Sequence, residues 1–192
     1  DFAPVSMVAT GPYVLLAHPK LPVSSVQDLV ALARAKPREL NFASGGNGTG
    51  THLAGELLKL RSGIDIVHVP YKGSAPGLND VIGGQVAVMF IGLPPAVAHM
   101  KAGRVRALAV TGSKRAKAAG DLPTMMEAGI PDYAADTWFS VVLPAGAPAA
   151  IVRRLNADLT AITRSPDIVE KLQRMGMEAI HSTPEGCRDY MR

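Results

Sequence analysis

Short apolar runs alternate with amphipathic segments along the first two thirds of the chain. The apolar runs predict strands over residues 12–18, 40–43, 64–69, 86–91 and 104–110. The segments between them carry apolar residues at helical spacing and predict helices over 25–36, 51–60, 74–82 and 96–102, with Ser24 as the first N-cap. Strands that alternate with helices on short connections indicate an α/β fold, with a mixed, mostly parallel sheet and helices on both faces.

The pattern changes after residue 119, where three Pro/Gly-rich stretches interrupt the chain at 121–124, 129–132 and 144–148. Such stretches are typical of linkers. The pattern then predicts a strand over 138–143, helices over 149–163 and 166–175, a strand over 177–181, and the start of a further helix near Pro184. We therefore expect the chain to cross between two lobes in this region and again near residues 9–11.

Composition and charge exclude several classes of protein. The chain is 47% hydrophobic and 19% charged, which fits a folded globular protein. Its net charge of +4 comes from dispersed basic residues, and the few aromatic residues lie away from the densest basic group, so we expect no nucleic-acid partner. The single cysteine excludes an intrachain disulfide and cysteine-based metal sites. The sequence also shows no signal peptide.

The remaining chemical motifs argue against an enzyme or a metalloprotein. The five histidines are scattered, without the H-E-x-x-H spacing of a zinc site, so we predict no metal and no cofactor. The chain also has no G-x-S-x-G motif and no nucleophile beside an evident base. These observations favour a binding protein over a catalyst.

A glycine-rich loop follows the second predicted strand and precedes a helix. It reads Ser-Gly-Gly-Asn-Gly-Thr-Gly-Thr over residues 44–51 and lacks both the Lys-Ser/Thr pair of a P-loop and the G-x-G-x-x-G dinucleotide pattern. Backbone N–H groups at a helix N-terminus, with hydroxyl and amide side chains beside them, predict an anion site. The alternative is a tight turn without a ligand.

A second loop, Tyr-Lys-Gly-Ser-Ala over residues 71–75, begins the next helix. Two such helix N-termini on adjacent strand–helix units are expected to meet beyond the carboxyl ends of the strands. Lys72 supplies a cation there, or is simply a surface lysine. Neither loop contains Asp or Glu, which predicts a ligand with a carboxylate.

These two loops, together with Gly83-Gly84-Gln85-Val86 and the segment 101–111 (Lys-Ala-Gly-Arg-Val-Arg-Ala-Leu-Ala-Val-Thr), closely resemble the extracytoplasmic receptors of tripartite tricarboxylate transporters, the Bug or TctC family. The resemblance covers nearly the whole chain. It implies a type II periplasmic binding protein fold, periplasmic localisation, a small carboxylate ligand such as a di- or tricarboxylate, an amino acid or an aromatic acid, and membrane transporter subunits as partners.

The resemblance also implies a division into domains. Residues 1–11 are then a domain 1 remnant and the first crossover, residues 12–131 are the ligand-binding domain 2, and residues 132–192 are the second crossover and the later part of domain 1. The N-terminal part of domain 1 and a closing C-terminal helix are expected to be missing, so the second lobe is incomplete. We therefore predict self-association, or a poorly ordered C-terminal third.

Carried over onto this sequence, the expected ligand-binding residues lie in the two loops: Ser44, Gly46, Asn47, Gly48, Thr49, Tyr71, Lys72, Gly73, Ser74 and Ala75. Ile91 and Gly92 are weaker candidates. Two alternatives stay open at this point. One is the cytosolic effector-binding domain of a LysR-type transcriptional regulator, which has a similar fold and length, and the other is an enzyme of the doubly wound class.

Overall fold

The first strand is long and pairs with two different sets of strands. In the computed structural model, which describes residues 1–191, Tyr13–Ala17 of this strand pair with two strands of a central sheet, and Ala9 and Thr10 pair with a short strand near the end of the chain. The elements are β1 (Phe2–Ala17), α1 (Val26–Ala35), β2 (Asn41–Ser44), α2 (Gly50–Ser62), β3 (Val67–Pro70), α3 (Ser74–Gly83), β4 (Val88–Gly92), α4 (Leu93–Lys101), β5 (Arg106–Val110), β6 (Asp136–Pro144), α5 (Ala149–Arg164), α6 (Pro166–Arg174), β7 (Glu178–Ala179) and α7 (Pro184–Tyr190).

The chain forms two compact units. One is Pro12–Asp136, and the other combines Asp1–Gly11 with the chain from Thr137 onward. We call them the sheet unit and the terminal unit. The sheet unit contains the last part of β1, all of β2–β5 and helices α1–α4, and it carries both of the loops described above.

The sheet unit is built on strands in the order β3-β2-β4-β1-β5. β2 is parallel to β3 and β4, whereas β1 is antiparallel to β4 and β5. Four of these strands therefore run in one direction and β1 alone runs in the other. The predicted mixed, mostly parallel α/β sheet is confirmed.

Alternation along the strands places helices on both faces of this sheet. Leu15, Phe42, Val88 and Phe90 pack into one core cluster with the buried faces of α1 and α2. Their immediate neighbours Leu16, Ala43, Met89 and Ile91 belong to a second cluster with α3 and α4. Successive strand side chains point to opposite faces, so an uninterrupted apolar run is what a doubly covered strand requires.

Local hydrogen bonds shift the start of α1 by one residue from its prediction. Ser25, not Ser24, is the N-cap, and its hydroxyl accepts from the backbone N–H of Asp28 at 3.1 Å. The carboxylate of Asp28 accepts in return from the N–H and the hydroxyl of Ser24, at 2.8 and 2.6 Å. This arrangement resembles a capping box, with Asp in place of Glu or Gln and with Ser24 as the residue that the carboxylate reaches.

The terminal unit contains β6, β7 and helices α5–α7, with β6 and β7 both pairing with β1. Asn156 on α5 joins two of its segments, since its amide nitrogen donates to the carbonyls of Val5 and Ser182 at 2.8 and 2.7 Å. Ser6 and Cys187 are fully buried within it. Burial raises the pKa of the Cys187 thiol, so it is a poor nucleophile at neutral pH.

Candidate functional site: two helix N-termini at one edge of the sheet

The two loops leave the same edge of the sheet and are hydrogen-bonded to each other. β2 and β3 are parallel, with Ser44 opposite Pro70. Beyond this point the N–H of Tyr71 donates to the carbonyl of Ser44 at 3.1 Å, and the N–H of Gly73 donates to the carbonyl of Gly45 at 3.0 Å. The β2–β3 pairing thus continues into the loops and brings the first turns of α2 and α3 together.

Internal hydrogen bonds hold the glycine-rich loop in one conformation. Gly46 and Gly48 have φ of 131° and 74°, which side-chain-bearing residues rarely adopt. Thr49 is the N-cap of α2, and its hydroxyl donates to the carbonyl of Gly46 at 2.7 Å. The hydroxyl of Thr51 accepts from the N–H of Gly45 at 2.9 Å. A loop fixed in this way presents its remaining donors without further ordering.

The free donors lie in the first turns of α2 and α3. The first N–H groups of a helix have no intrahelical partner. In α2 these include the N–H groups of Gly50 and Thr51, and no acceptor for them occurs among residues 1–191. α3 begins at Ser74 after Gly73, without a side-chain cap, which leaves the N–H groups of Ser74 and Ala75. The loops are in contact, because a Cβ added to Gly45 would lie 3.1 Å from the Ser74 hydroxyl oxygen.

The end of β4 contributes fewer free N–H donors to this edge of the sheet than the two loops do. Gly92 precedes α4, whose second and third residues are Pro94 and Pro95, and proline has no N–H. This helix therefore offers only the N–H of Leu93 at its first positions. Ile91 and Gly92 lie at the same edge of the sheet as the two loops, but their helix is a weak anion site.

Tyr71 and Lys72 have different environments. The Tyr71 hydroxyl donates to the Asp80 carboxylate at 2.5 Å, and this hydrogen bond raises the pKa of Tyr71 to about 12. The Tyr71 hydroxyl therefore already donates its proton to a side chain of α3 and is not free to donate to a ligand. Lys72 is exposed and forms no ion pair with the described residues. Its ammonium adds positive charge beside the start of α3.

Two histidine rings lie beneath the glycine-rich loop. His52 and His68 are stacked with their centroids 4.0 Å apart, and His68 stacks in turn on Phe42 at 4.8 Å. Nδ1 of His52 accepts from the N–H of Gly48 at 3.1 Å, and Nε2 of His68 is 2.6 Å from the Ser44 hydroxyl oxygen. Burial lowers the pKa of His68, and the neighbouring His52 acts in the same direction. A neutral His68 therefore supports the loop.

The structure brings together all ten of the predicted ligand-binding residues, but it gives them unequal access. Five are exposed and are free to meet a ligand: Asn47, Gly48, Lys72, Gly73 and Ala75. Gly46, Thr49, Tyr71 and Ser74 are half-buried. Ser44 is fully buried, and its hydroxyl contacts His68 and the N–H of Gly46, so its place is under the loop.

Sequence reasoning missed two residues beside these loops. Tyr13 lies opposite Gly92 in the β1–β4 pairing, and its hydroxyl lies against Gly50 at the start of α2. Thr111 is fully buried just after β5, and its hydroxyl accepts from the N–H of Tyr13 at 2.8 Å. Neither residue belongs to a recognisable motif. Only the antiparallel course of β1 brings Tyr13 to this edge of the sheet.

The described residues offer neither a metal centre nor a membrane-spanning helix. Residues 1–191 contain no group of three or more His, Cys, Asp or Glu side chains able to hold a metal ion. Among the helices of these residues, none combines the length and the apolar character that crossing a membrane requires.

Comparison with known proteins identifies the relatives of this chain. The family model described as tripartite tricarboxylate transporter family receptor matches residues 1–191. Protein BugT of Bordetella pertussis is 37% identical over 191 residues, which cover 100% of this chain and 59% of BugT. The chain thus spans less than two thirds of the length of this relative.

Solved structures agree in fold. R. palustris Rpa4515 with adipate has a TM-score of 0.95 at 40% identity, covering 99% of this chain and 64% of that protein. Periplasmic binding protein BugD has a TM-score of 0.91 at 29% identity, covering 98% of this chain and 64% of BugD. MatC from Rhodopseudomonas palustris with bound malate has a TM-score of 0.85 at 29% identity, covering 92% and 60%.

These comparisons confirm the predicted α/β binding-protein fold and do not favour a LysR-type effector domain. The relatives are transporter receptors and binding proteins, which supports a role without catalysis. The chain belongs to the tripartite tricarboxylate transporter receptor family, the TctC or Bug family.

Proposed function

We propose that the chain is the ligand-binding part of a periplasmic receptor that captures a small dicarboxylate and delivers it to a tripartite transporter. The observation that carries this proposal is the pair of hydrogen-bonded loops that place the N-termini of α2 and α3 side by side. Similarity to proteins solved with adipate and with malate supports the choice of a dicarboxylate. Similarity to BugD supports the periplasm.

The electrostatics of the edge suit an anion. The two helix N-termini each carry partial positive charge and contribute on the order of 0.3 to 2 kcal/mol to a bound anion. Each hydrogen bond from the N–H groups of Gly50, Thr51, Ser74 or Ala75 to a carboxylate adds about 1.5 to 3 kcal/mol. Neither loop has a carboxylate that would oppose this, and Lys72 is a nearby cation.

The sheet unit, Pro12–Asp136, takes the role of the ligand-binding domain 2 in this proposal, and the terminal unit takes that of part of domain 1. Both helix N-termini and all ten candidate residues belong to the sheet unit. The proposed ligand contacts are the backbone N–H groups of the two first turns, with the side chains of Asn47, Thr49 and Ser74 beside them.

A negative charge introduced into the glycine-rich loop tests the site. Asn47→Asp keeps the size of an exposed side chain and places a negative charge beside the proposed anion. We expect adipate, malate and citrate to raise the Tm of the wild-type chain, whereas glucose and putrescine do not. Asn47→Asp is expected to weaken the response to acids about tenfold or more in ligand concentration, with little change in the ligand-free Tm.

The matched control is Asn79→Asp, which makes the same change at an exposed position later in α3. Because it lies away from the first turn of the helix, it should leave the acid response near that of the wild type. Stabilisation by glucose or putrescine alone, or equal acid responses in both variants, would contradict the proposed site.

A further inference from the structure

Tyr13 has an unused hydroxyl at the proposed site. β1 runs antiparallel to β4, with Tyr13 opposite Gly92, so Tyr13 lies at the sheet edge that carries the loops. The same strand therefore contributes to the core through Val14 and Leu15 and to the edge through Tyr13.

The phenol ring lies directly against the first residue of α2. A Cβ added to Gly50 would lie 2.0 Å from Oη and 2.9 Å from Cζ of Tyr13. Gly50 has an ordinary backbone conformation, because it is absent from the residues with positive φ. Any larger residue at position 50 would therefore displace the phenol, and in this structure the Tyr13 hydroxyl lies beside Gly50, the first residue of α2.

The hydroxyl is both unpaired and accessible. No hydrogen bond of Oη to another of residues 1–191 occurs in the structure. Within those residues, the fully enclosed side-chain polar atom that lacks a partner is Nδ1 of His99, so the Tyr13 hydroxyl is reached by solvent. A hydroxyl donates as well as accepts, and this one can serve the same ligand atom as the N–H groups of Gly50 and Thr51.

The backbone of Tyr13 is fixed, which keeps this hydroxyl in place. Its N–H donates to the Thr111 hydroxyl oxygen at 2.8 Å, and its carbonyl accepts from the N–H of Thr111 at 2.9 Å. Thr111 is fully buried, and its hydroxyl also donates to the carbonyl of Ala135. A donor held on a strand in this way is more precisely placed than one on a mobile loop.

We propose that Tyr13 is a specificity-determining residue, whose hydroxyl donates a hydrogen bond to the ligand carboxylate bound at the N-terminus of α2. This inference rests on the proposed function and adds a donor from strand β1 to a site built from the backbone N–H groups and side chains of the two loops. A charged acceptor gains more from such a bond than a neutral one. Tyr13 therefore favours a carboxylate over the corresponding amide.

The test is calorimetric titration of the wild-type chain and Tyr13→Phe with adipate and with its neutral analogue adipamide. We expect Tyr13→Phe to raise the Kd for adipate about tenfold, and to narrow the preference for adipate over adipamide. The ligand-free Tm should stay unchanged, because the aromatic ring remains. Tyr190→Phe removes a hydroxyl from an exposed tyrosine of the terminal unit, and it should bind adipate as the wild type does.

A second variant, Gly50→Ala, tests whether the position of the Tyr13 hydroxyl matters as well as its presence. Gly50→Ala keeps the phenol but forces its hydroxyl away from α2, so it should also weaken adipate binding. Unchanged adipate affinity in Tyr13→Phe, or an equal loss for adipate and adipamide, would overturn the role of Tyr13 while leaving the proposed function intact. Failure of the wild-type chain to bind any acid would contradict the proposed function, and this inference with it.

Discussion

In the sheet unit, both faces of the central strands are covered, whereas the terminal unit leaves much of its apolar surface open. Phe42, Leu29 and Leu58 are fully buried in the sheet unit. In the terminal unit, Phe139 and Ile151 are 49% and 50% exposed, although α5 has the strongly amphipathic sequence of a helix that packs on a core. Periodicity is thus enough to predict an element, but burial requires a partner surface as well.

The difference has a consequence for the site. The residues proposed to bind the anion all lie in the well-packed unit, on the loops that follow β2 and β3 and, for Tyr13, on β1. A site on such a scaffold keeps its geometry without a ligand. The terminal unit, with fewer buried side chains, is expected to open locally at lower free energy.

Matched isoleucine truncations give the largest expected difference between the units. Ile66 is 1% exposed and belongs to the sheet-unit core, whereas Ile151 on α5 is half-exposed. Ile66→Ala should lower the free energy of unfolding by about 2 to 5 kcal/mol, and Ile151→Ala by less than about 1 kcal/mol. Urea unfolding measures both losses of free energy, and equal losses would show that the two units are packed equally well at these positions.

Self-association should follow from the exposed side chains of the terminal unit. Trp138 and Phe139 are 41% and 49% exposed and are consecutive residues of β6, so each face of this strand carries an exposed aromatic side chain. Exposed apolar surface favours contact with a second copy. We expect the mass measured by analytical ultracentrifugation to rise with protein concentration, and Phe139→Glu to reduce this rise.

Leu60→Glu is the control for that experiment. Leu60 is 78% exposed on α2 of the sheet unit, and a single exposed leucine is ordinary on a protein surface. The control should therefore associate as the wild type does. A monomer at every concentration would show that the exposed surface of the terminal unit does not bind a second copy.

A smaller effect is expected from pH at His68. Burial lowers its pKa in the folded state, so below the ordinary value of about 6.5 the unfolded chain binds a proton that the folded chain does not. The contribution of neutral His68 to the free energy of unfolding is therefore fully present above about pH 6.5, and it is lost as the pH falls through the lowered pKa. Glu56 opposes this shift, whereas His52 and Lys59 add to it.

His68→Gln should therefore flatten the fall of the Tm between pH 7 and pH 5. His181→Gln is the control, because His181 is exposed in the terminal unit, where it contacts Arg164. A slope that changes equally in both variants would mean that His68 has no special part in the acid response.

Much of the fold could be predicted because most elements follow simple local rules. The helix predicted over 149–163 is observed as Ala149–Arg164, and the strand predicted over 138–143 lies within Asp136–Pro144. The limits of a strand are harder to predict where contacts between distant segments determine which residues pair. The run 64–69 alternates like a strand, but only Val67–Pro70 pair with β2, and residues 2–11 extend β1 beyond its predicted start.

The site was predictable in part for the same reason. Glycines at a strand–helix junction indicate a loop that exposes N–H groups, and this pattern is local. The burial of Ser44, the Tyr71–Asp80 hydrogen bond and the position of Tyr13 depend on contacts between segments. Tyr13 is 37 residues before Gly50 in the sequence, and nothing in the intervening residues indicates that the two touch.

The proposed function requires that a carboxylate binds to the N–H groups of the first turns of α2 and α3. Its most direct test is titration of the isotopically labelled chain with adipate, and separately with adipamide, followed by amide NMR shifts. We predict that the amides of Gly50, Thr51, Ser74 and Ala75 shift most with adipate and little with adipamide. Adipate shifts that spare these four amides, or that fall mainly in the terminal unit, would contradict the account.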